Sequence, residues 1–234
     1  MITNSSRETY DRALKNLFSQ VLELGRMVEQ AIQNSVDALH HRDYVAARQI
    51  YIADQYINQK RYAIEQDCIS LIAAQQPAAR DMRSLAAILE ITTELERMGD
   101  YAKGISKINL LIDDELESPP IFYELHRMAD SGLAMLHRAL EAFMTNDIAA
   151  ARSIPAQDDE VDRLYNHIYL ELTHAMITNT TTINRANHLM WAAHNLERMA
   201  DRVINICERI VYVATGETRD LDAKDGFLWN HELN

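Results

Sequence analysis

The sequence predicts an all-α protein made of two tandem, pseudo-repeated three-helix bundles, and three observations predict it. The 234 residues include only 6 glycines and 4 prolines, too few for a sheet protein with many turns, while residues that favour helices are plentiful. Apolar residues recur at alternating steps of three and four, the spacing of a helix that buries one face. Finally, the string LERMGD from Leu95 recurs as LERMAD from Leu196, which indicates an internal duplication.

The duplication extends well beyond this string. The stretch DYVAARQIYIADQYIN from Asp43 aligns with DIAAARSIPAQDDEVD from Asp147 at a shift of 104 residues, whereas the LER blocks are 101 residues apart. A loop that is three residues shorter in the second copy accounts for the difference, because insertions concentrate in connections. We therefore predict one bundle at residues 1–115, a second at 116–217, and a flexible C-terminal tail at 218–234.

Turn signals divide each copy into three helices. In the first copy Asp43 is the expected N-cap of the second helix, and Pro77 ends that helix. A charged linker, residues 113–120, separates the two copies, and the two prolines at its end begin the fourth helix. In the second copy, residues 145–147 and 179–182 take the places of the first two turns. The result is six predicted helices of about 30 residues, each about 45 Å long.

Composition narrows the functional classes. A formal charge of −12 disfavours binding to nucleic acid or to an anionic membrane, and it suits cations or a basic partner. No stretch is apolar enough for a membrane helix and the N-terminus lacks a signal-peptide segment, so we expect a soluble, cytoplasmic protein that reaches membranes only through partners. Cys68 and Cys207 are too few for a disulfide framework and are expected to pack as small apolar residues.

Two sets of polar side chains, one in each copy, are the candidate metal ligands. A carboxylate pair four residues apart occupies one face of the third helix of each copy, and a similar pair lies on the second helix. Every member directly follows a core position, so the pairs flank the same side of two antiparallel helices. The first site comprises Asp54, Asn58, Glu96 and Asp100, and the second comprises Asp158, Asp162, Glu197 and Asp201.

Within each set the two pairs are equally distant from the hairpin turn, roughly 30 Å along the helices, so four side chains converge at one height. Like charges at this spacing cost a few tenths of a kcal/mol per pair unless a counter-charge offsets them. Oxygen-only ligands favour hard ions such as Mg²⁺, Mn²⁺, Ca²⁺ or ferric iron over zinc. Asn58 replaces a carboxylate, so weaker binding is expected at the first site. His194, Arg97 and Arg198 are candidates for contacts behind the ligands, although both arginines should point about 100° away.

Five strings connect the chain with a known family: the two LER motifs, QQPAARDMR from Gln75, NICERIVYVATGE from Asn205 and LELGRMVEQAI from Leu22. Across residues 7–217 the chain resembles the PhoU family of phosphate-transport accessory proteins, which are negative regulators of the phosphate regulon. The resemblance implies homodimers or higher oligomers, and iron or other metal clusters on the seven carboxylates of the two sites. The chain departs from the family pattern at Asn58, at Tyr101 and Arg202 where histidine is frequent, and at Gly104 where asparagine is expected; Asn205 keeps that asparagine.

The resemblance also implies a function, namely an adaptor rather than an enzyme. Such an adaptor connects the ATPase of a Pst-type phosphate ABC transporter to a membrane sensor histidine kinase and holds the kinase in its non-signalling mode when phosphate is abundant. The expected cofactors are Fe, Mn or Mg ions. One alternative is a metal-free helical scaffold of a related phosphate transporter. Another is a ferritin-like di-iron oxidase, which requires two Glu-x-x-His motifs, whereas this sequence has one, from Glu171 to His174.

Overall fold

The structure, a computed structural model, describes residues 4–112, 119–218 and 220–221. All regular secondary structure in these ranges is helical, which confirms the predicted fold class. The predicted linker at residues 113–118 and most of the predicted tail lie outside the described residues. The helices are α1 (Asn4–His41), α2 (Tyr44–Gln75), α3 (Ala79–Leu111), α4 (Pro119–Thr145), α5 (Ile148–Ser153), α6 (Asp158–Thr178) and α7 (Ile183–Thr215).

The turns between helices follow the local signals in the sequence. The Asp43 carboxylate accepts a hydrogen bond from the backbone N–H of Ala46 (2.9 Å), so the predicted N-cap of α2 is confirmed. Asp147 caps α5 in the same way through the N–H of Ala150 (3.0 Å). α2 ends just before Pro77, and α4 begins at Pro119, because a proline ring is tolerated in a first turn but not in a helix interior.

The prediction of one continuous fifth helix is wrong, because the structure divides this segment into two helices. A helix of six residues, α5, is followed by a 3₁₀ turn at Pro155–Gln157 and then by α6. Pro155 explains the interruption, since its ring removes an N–H donor and clashes with the preceding turn of an α-helix. The corresponding position in the first copy is Tyr51, and α2 runs through it unbroken.

The helices form two bundles, α1 to α3 and α4 to α7, which pack together along α3 and α7. These two helices run antiparallel: the Arg83 side chain donates to the carbonyl of Val213 near one end, and Gly104 lies against Asn195 towards the other. We call this contact the α3–α7 seam.

Cys68 and Cys207 are free and fully buried in the core, as predicted, and burial raises the pKa of each thiol to about 12. In the described ranges, every helix is too short or too polar to cross a membrane.

Candidate metal sites

The first predicted site lies between α2 and α3, and its centre is Asp54. This carboxylate is only 5% exposed, and its Oδ2 accepts hydrogen bonds from Nζ of Lys103 (2.7 Å) and Nδ2 of Asn58 (3.0 Å). The two helices approach closely because Gly99 has no side chain: a Cβ there would lie 3.1 Å from Cδ1 of Ile57 and 3.7 Å from Oδ1 of Asp54. The Asp54 Oδ1 atom is buried and accepts no hydrogen bond from the described residues.

Glu96 and Asp100 complete this first set. Burial raises the pKa of Glu96, and the negative charges of Asp100 and Asp54 raise it further, while Arg61 opposes them. Burial also raises the pKa of Asp100, again with a contribution from Asp54. The structure therefore brings the three carboxylates into electrostatic contact and adds the amide of Asn58 through its bond to Asp54.

Sequence reasoning missed Lys103, which supplies an internal counter-charge to the first site. Its ammonium contacts Oδ2 of Asp54 and lies 3.9 Å from Oδ1 of Asp100. A signal was available, because Lys103 follows Asp100 by three residues and therefore shares its helix face. The repeat-equivalent position in the second copy is Ile204, a buried apolar residue. The two sites thus differ in built-in positive charge.

The second predicted site lies between α6 and α7, where Glu197 is the most perturbed carboxylate. Burial raises its pKa to about 7, and the charges of Asp201 and Asp162 add to this effect, whereas Arg198 and Arg202 oppose it. The Oε2 atom of Glu197 is buried without a hydrogen-bond partner among the described residues, and it lies 3.3 Å from Nδ1 of His194.

The remaining member of the second set is Asp158. It is 8% exposed in the first turn of α6, and α6 packs on α7. Asp162 is exposed one turn later on the same helix. Tyr165 also belongs to this neighbourhood, because its pKa is raised first by burial and then by the charge of Glu197. Tyr165 occupies the position that Arg61 holds in the first copy, and the cations near Glu197 are instead Arg198 and Arg202 on its own helix.

Of the three residues predicted to lie behind the ligands, two contact the second site and one does not contact the first. His194 contacts Glu197. Arg198 was expected to point away from the site, but its Nε lies 3.8 Å from Oδ2 of Asp201, so its side chain does reach the site. Arg97 instead pairs with Glu94 on its own helix (3.1 Å). Sequence reasoning missed Arg202, whose Nη1 lies 3.3 Å from Oε2 of Glu94 on α3. Arg202 therefore connects the second site to the α3–α7 seam.

The donor set of the second site suits a hard cation. It offers carboxylate oxygens only, one of them buried and without a hydrogen-bond partner, and a divalent or trivalent ion would neutralise their mutual repulsion. Across residues 4–112, 119–218 and 220–221, no three His, Cys, Asp or Glu side chains are grouped closely enough to hold a metal ion in their present rotamers. Glu171 and His174, the single oxidase-like motif, are both exposed on α6.

Comparison with known proteins gives the family. The family described as the PhoU domain matches residues 21–108 and 125–210, one match in each copy. The chain belongs to the PhoU family. It is 35% identical over 216 residues to a phosphate-specific transport system accessory protein PhoU homolog of Streptococcus pneumoniae, covering 92% of this chain and 100% of that protein. A PhoU homolog of Pseudomonas aeruginosa is 31% identical, covering 92% of this chain and 89% of that one.

Solved PhoU structures share the fold. The crystal structure of the phosphate transport system regulatory protein PhoU from Streptococcus pneumoniae superposes with a TM-score of 0.83 at 33% identity, covering 90% of this chain and 99% of that one. The crystal structure of PhoU from Pseudomonas aeruginosa also gives 0.83, at 32% identity, covering 89% of this chain and 100% of that one. The resemblance seen in the sequence and the predicted PhoU-like architecture are confirmed.

Proposed function

We propose that this PhoU-family protein is a cytoplasmic, metal-binding adaptor that negatively regulates phosphate-responsive signalling. It couples the ATPase of a Pst-type phosphate ABC transporter to a sensor histidine kinase, and it acts as a homodimer or higher homo-oligomer rather than as an enzyme. The observation that carries the proposal is similarity across both copies, over 92% of the chain, to proteins named as accessory proteins of phosphate-specific transport systems.

The proposed metal contribution rests on the asymmetry between the two acidic sites. At the second site Glu197, Asp201 and Asp162 repel one another, and the position equivalent to Lys103 is apolar. Binding of Fe, Mn or Mg ions would draw these carboxylates, together with Asp158, towards one centre and replace repulsion with attraction. At the first site the ammonium of Lys103 already neutralises Asp54, so an ion competes with an existing partner.

Metal addition is therefore expected to stabilise the protein chiefly through the second site. In chelator-treated protein, Mn²⁺ or Fe³⁺ at 100 times its Kd adds about 2.7 kcal/mol to the free energy of unfolding, measured as a rise in Tm with matching binding heat. The double variant Glu197→Gln with Asp201→Asn should lose most of this gain. Its matched control is Glu96→Gln with Asp100→Asn, at the equivalent positions of the first copy, which should keep most of it.

The opposite outcome has a defined meaning. If wild-type protein shows neither heat nor a higher Tm with Mn²⁺, Fe³⁺ or Mg²⁺, then the acidic faces are metal-free contact surfaces and the scaffold alternative holds. The ion pair between Lys103 and Asp54 favours that alternative for the first copy, because an internal cation already fills the role of a metal there.

The regulatory role is tested in cells. Deletion of the gene is expected to make a phosphate-responsive reporter constitutive in phosphate-rich medium, because the kinase is no longer held in its non-signalling mode. Deleting the sensor kinase as well should abolish that expression, because the kinase is the source of the signal. Unchanged expression after the first deletion would contradict the proposed role in phosphate signalling.

A further inference from the structure

The α3–α7 seam is pseudo-symmetric, because residues 101 positions apart exchange places across it. Two polar pairs connect α3 and α7 at the end of the seam where Glu94 and Asn205 lie. Nδ2 of Asn205 donates to Oε2 of Glu94 (3.1 Å), and Nη1 of Arg209 lies 2.8 Å from Oε2 of Glu90. These two pairs connect the helices at this end.

The equivalent positions at the opposite end carry different residues and leave a cavity. Gly104 replaces Asn205, and Asn195 replaces Glu94, while Trp191 and Ile108 stand where Glu90 and Arg209 form their ion pair. All four line a pocket of about 380 Å³. A Cβ on Gly104 would lie 2.8 Å from Nδ2 of Asn195, so the absence of a side chain at Gly104 leaves room for the Asn195 amide at the edge of this pocket.

The lining of the pocket combines an aromatic face, amides and positive charge. The Trp191 side chain lines the pocket and is 65% exposed, so its indole ring is available to a ligand. Asn187 and Asn195 offer both donors and acceptors, and Lys107 and His188 add basic groups. Among the described residues that line this pocket there is no carboxylate, in a chain with 35 acidic residues.

We infer that this pocket binds a small anion with a planar ring, of the chemical class of a nucleoside monophosphate. The base stacks on Trp191, the amides of Asn187 and Asn195 bond to its edge, and Lys107 and His188 donate hydrogen bonds to the phosphate. The volume falls within the range of small-ligand pockets, and it is larger than inorganic phosphate alone requires. This inference is independent of the proposed adaptor role and of the acidic metal sites.

Fluorescence titration tests the inference directly. The chain has 2 tryptophans, so the substitution Trp229→Phe leaves Trp191 as the sole tryptophan reporter. AMP, GMP, CMP and UMP are titrated separately, with the four corresponding nucleosides and inorganic phosphate as probes for the two parts of the ligand. Saturable quenching is expected with at least one monophosphate, and both the matching nucleoside and inorganic phosphate should bind more weakly.

Variants assign the binding to this pocket. Lys107→Gln should weaken monophosphate binding about tenfold and leave nucleoside binding unchanged, because it removes only the partner of the phosphate. Gly104→Asn should abolish both by filling the pocket, and circular dichroism checks that this variant remains folded. Lys15→Gln, an exposed lysine on α1, is the matched control and should bind as wild type does. The inference is overturned if no monophosphate saturates the signal at millimolar concentration, or if affinity is the same in Lys107→Gln and wild type.

Discussion

The variant Glu197→Gln is expected to be more stable than the wild-type protein at pH 8, when both are free of metal. The pKa of Glu197 rises from 4.5 to about 7 on folding, because burial and the charges of Asp201 and Asp162 disfavour its ionised form. A raised carboxyl pKa means that the folded state binds more protons than the unfolded state between these two values, so stability falls as pH rises through this window. Each pKa unit corresponds to about 1.4 kcal/mol, so this rise in pKa corresponds to at most about 3.5 kcal/mol. Solvent screens part of it because the side chain of Glu197 is 23% exposed, so removing the charge should add about 2 kcal/mol above pH 7.

The measurement is the free energy of unfolding of both proteins in denaturant between pH 4 and pH 8, in the presence of a chelator. The two curves should converge near pH 4.5 and separate as Glu197 ionises in the wild type. Glu96→Gln is the matched control at the equivalent position of the first copy, where the ammonium of Lys103 offsets the neighbouring carboxylates of Asp54 and Asp100, and its gain should be smaller. A gain that does not depend on pH would show that the charge of Glu197 is not the cause, and equal gains at both positions would contradict the expected difference between the two sites.

Replacing Lys103 with methionine is expected to destabilise the protein by about 3 kcal/mol at pH 7. The substitution removes the ammonium that contacts Oδ2 of Asp54 and leaves a 5% exposed carboxylate with Asn58 as its remaining described donor. Breaking a buried ion pair by deleting one partner costs about 3–5 kcal/mol, and the lower end applies because Lys103 is partly exposed. The hydrogen bond with Asp54 raises the pKa of Lys103, so the pair is intact throughout neutral pH and its contribution is lost only as Lys103 deprotonates in alkaline solution.

A second substitution distinguishes charge from packing. Adding Asp54→Asn to Lys103→Met should restore most of the lost stability, since the uncompensated carboxylate is gone. Lys107→Met, one turn further along α3 and exposed, is the control and should change the free energy of unfolding by less than about 0.5 kcal/mol. If the double variant is no more stable than Lys103→Met alone, the loss comes from the packing of the lysine stem rather than from an unpaired Asp54.

Much of the fold could be predicted because its signals are local. Asp43 caps α2 and Asp147 caps α5 through their own side chains, so three or four residues of sequence contain the whole cause. The internal repeat then fixed the number of bundles. It also misled the prediction of the fifth helix, because alignment with the unbroken α2 suggested continuity across Pro155. Proline chemistry is a property of one residue and overrides the similarity between copies.

At the acidic sites the sequence could predict which residues share a helix face, but not which long side chains contact them. Helix periodicity was sufficient to bring Asp54, Glu96 and Asp100 together, because it determines which face a side chain occupies. It does not determine where a long side chain ends, so the ion pair between Lys103 and Asp54 was missed. The contact of Arg202 with Glu94 was missed for another reason: it crosses between the bundles, and nothing in either repeat alone indicates which helices pack at the seam.

The α3–α7 seam makes the two copies depend on each other. Glu94 in the first copy receives hydrogen bonds from Asn205 and Arg202 in the second, so a substitution on one of these helices removes a partner from the other. The equivalent positions at the opposite end hold Asn195 and Gly104, so the same kind of substitution there breaks no ion pair. Neither half is therefore expected to keep its full stability when it is expressed without the other.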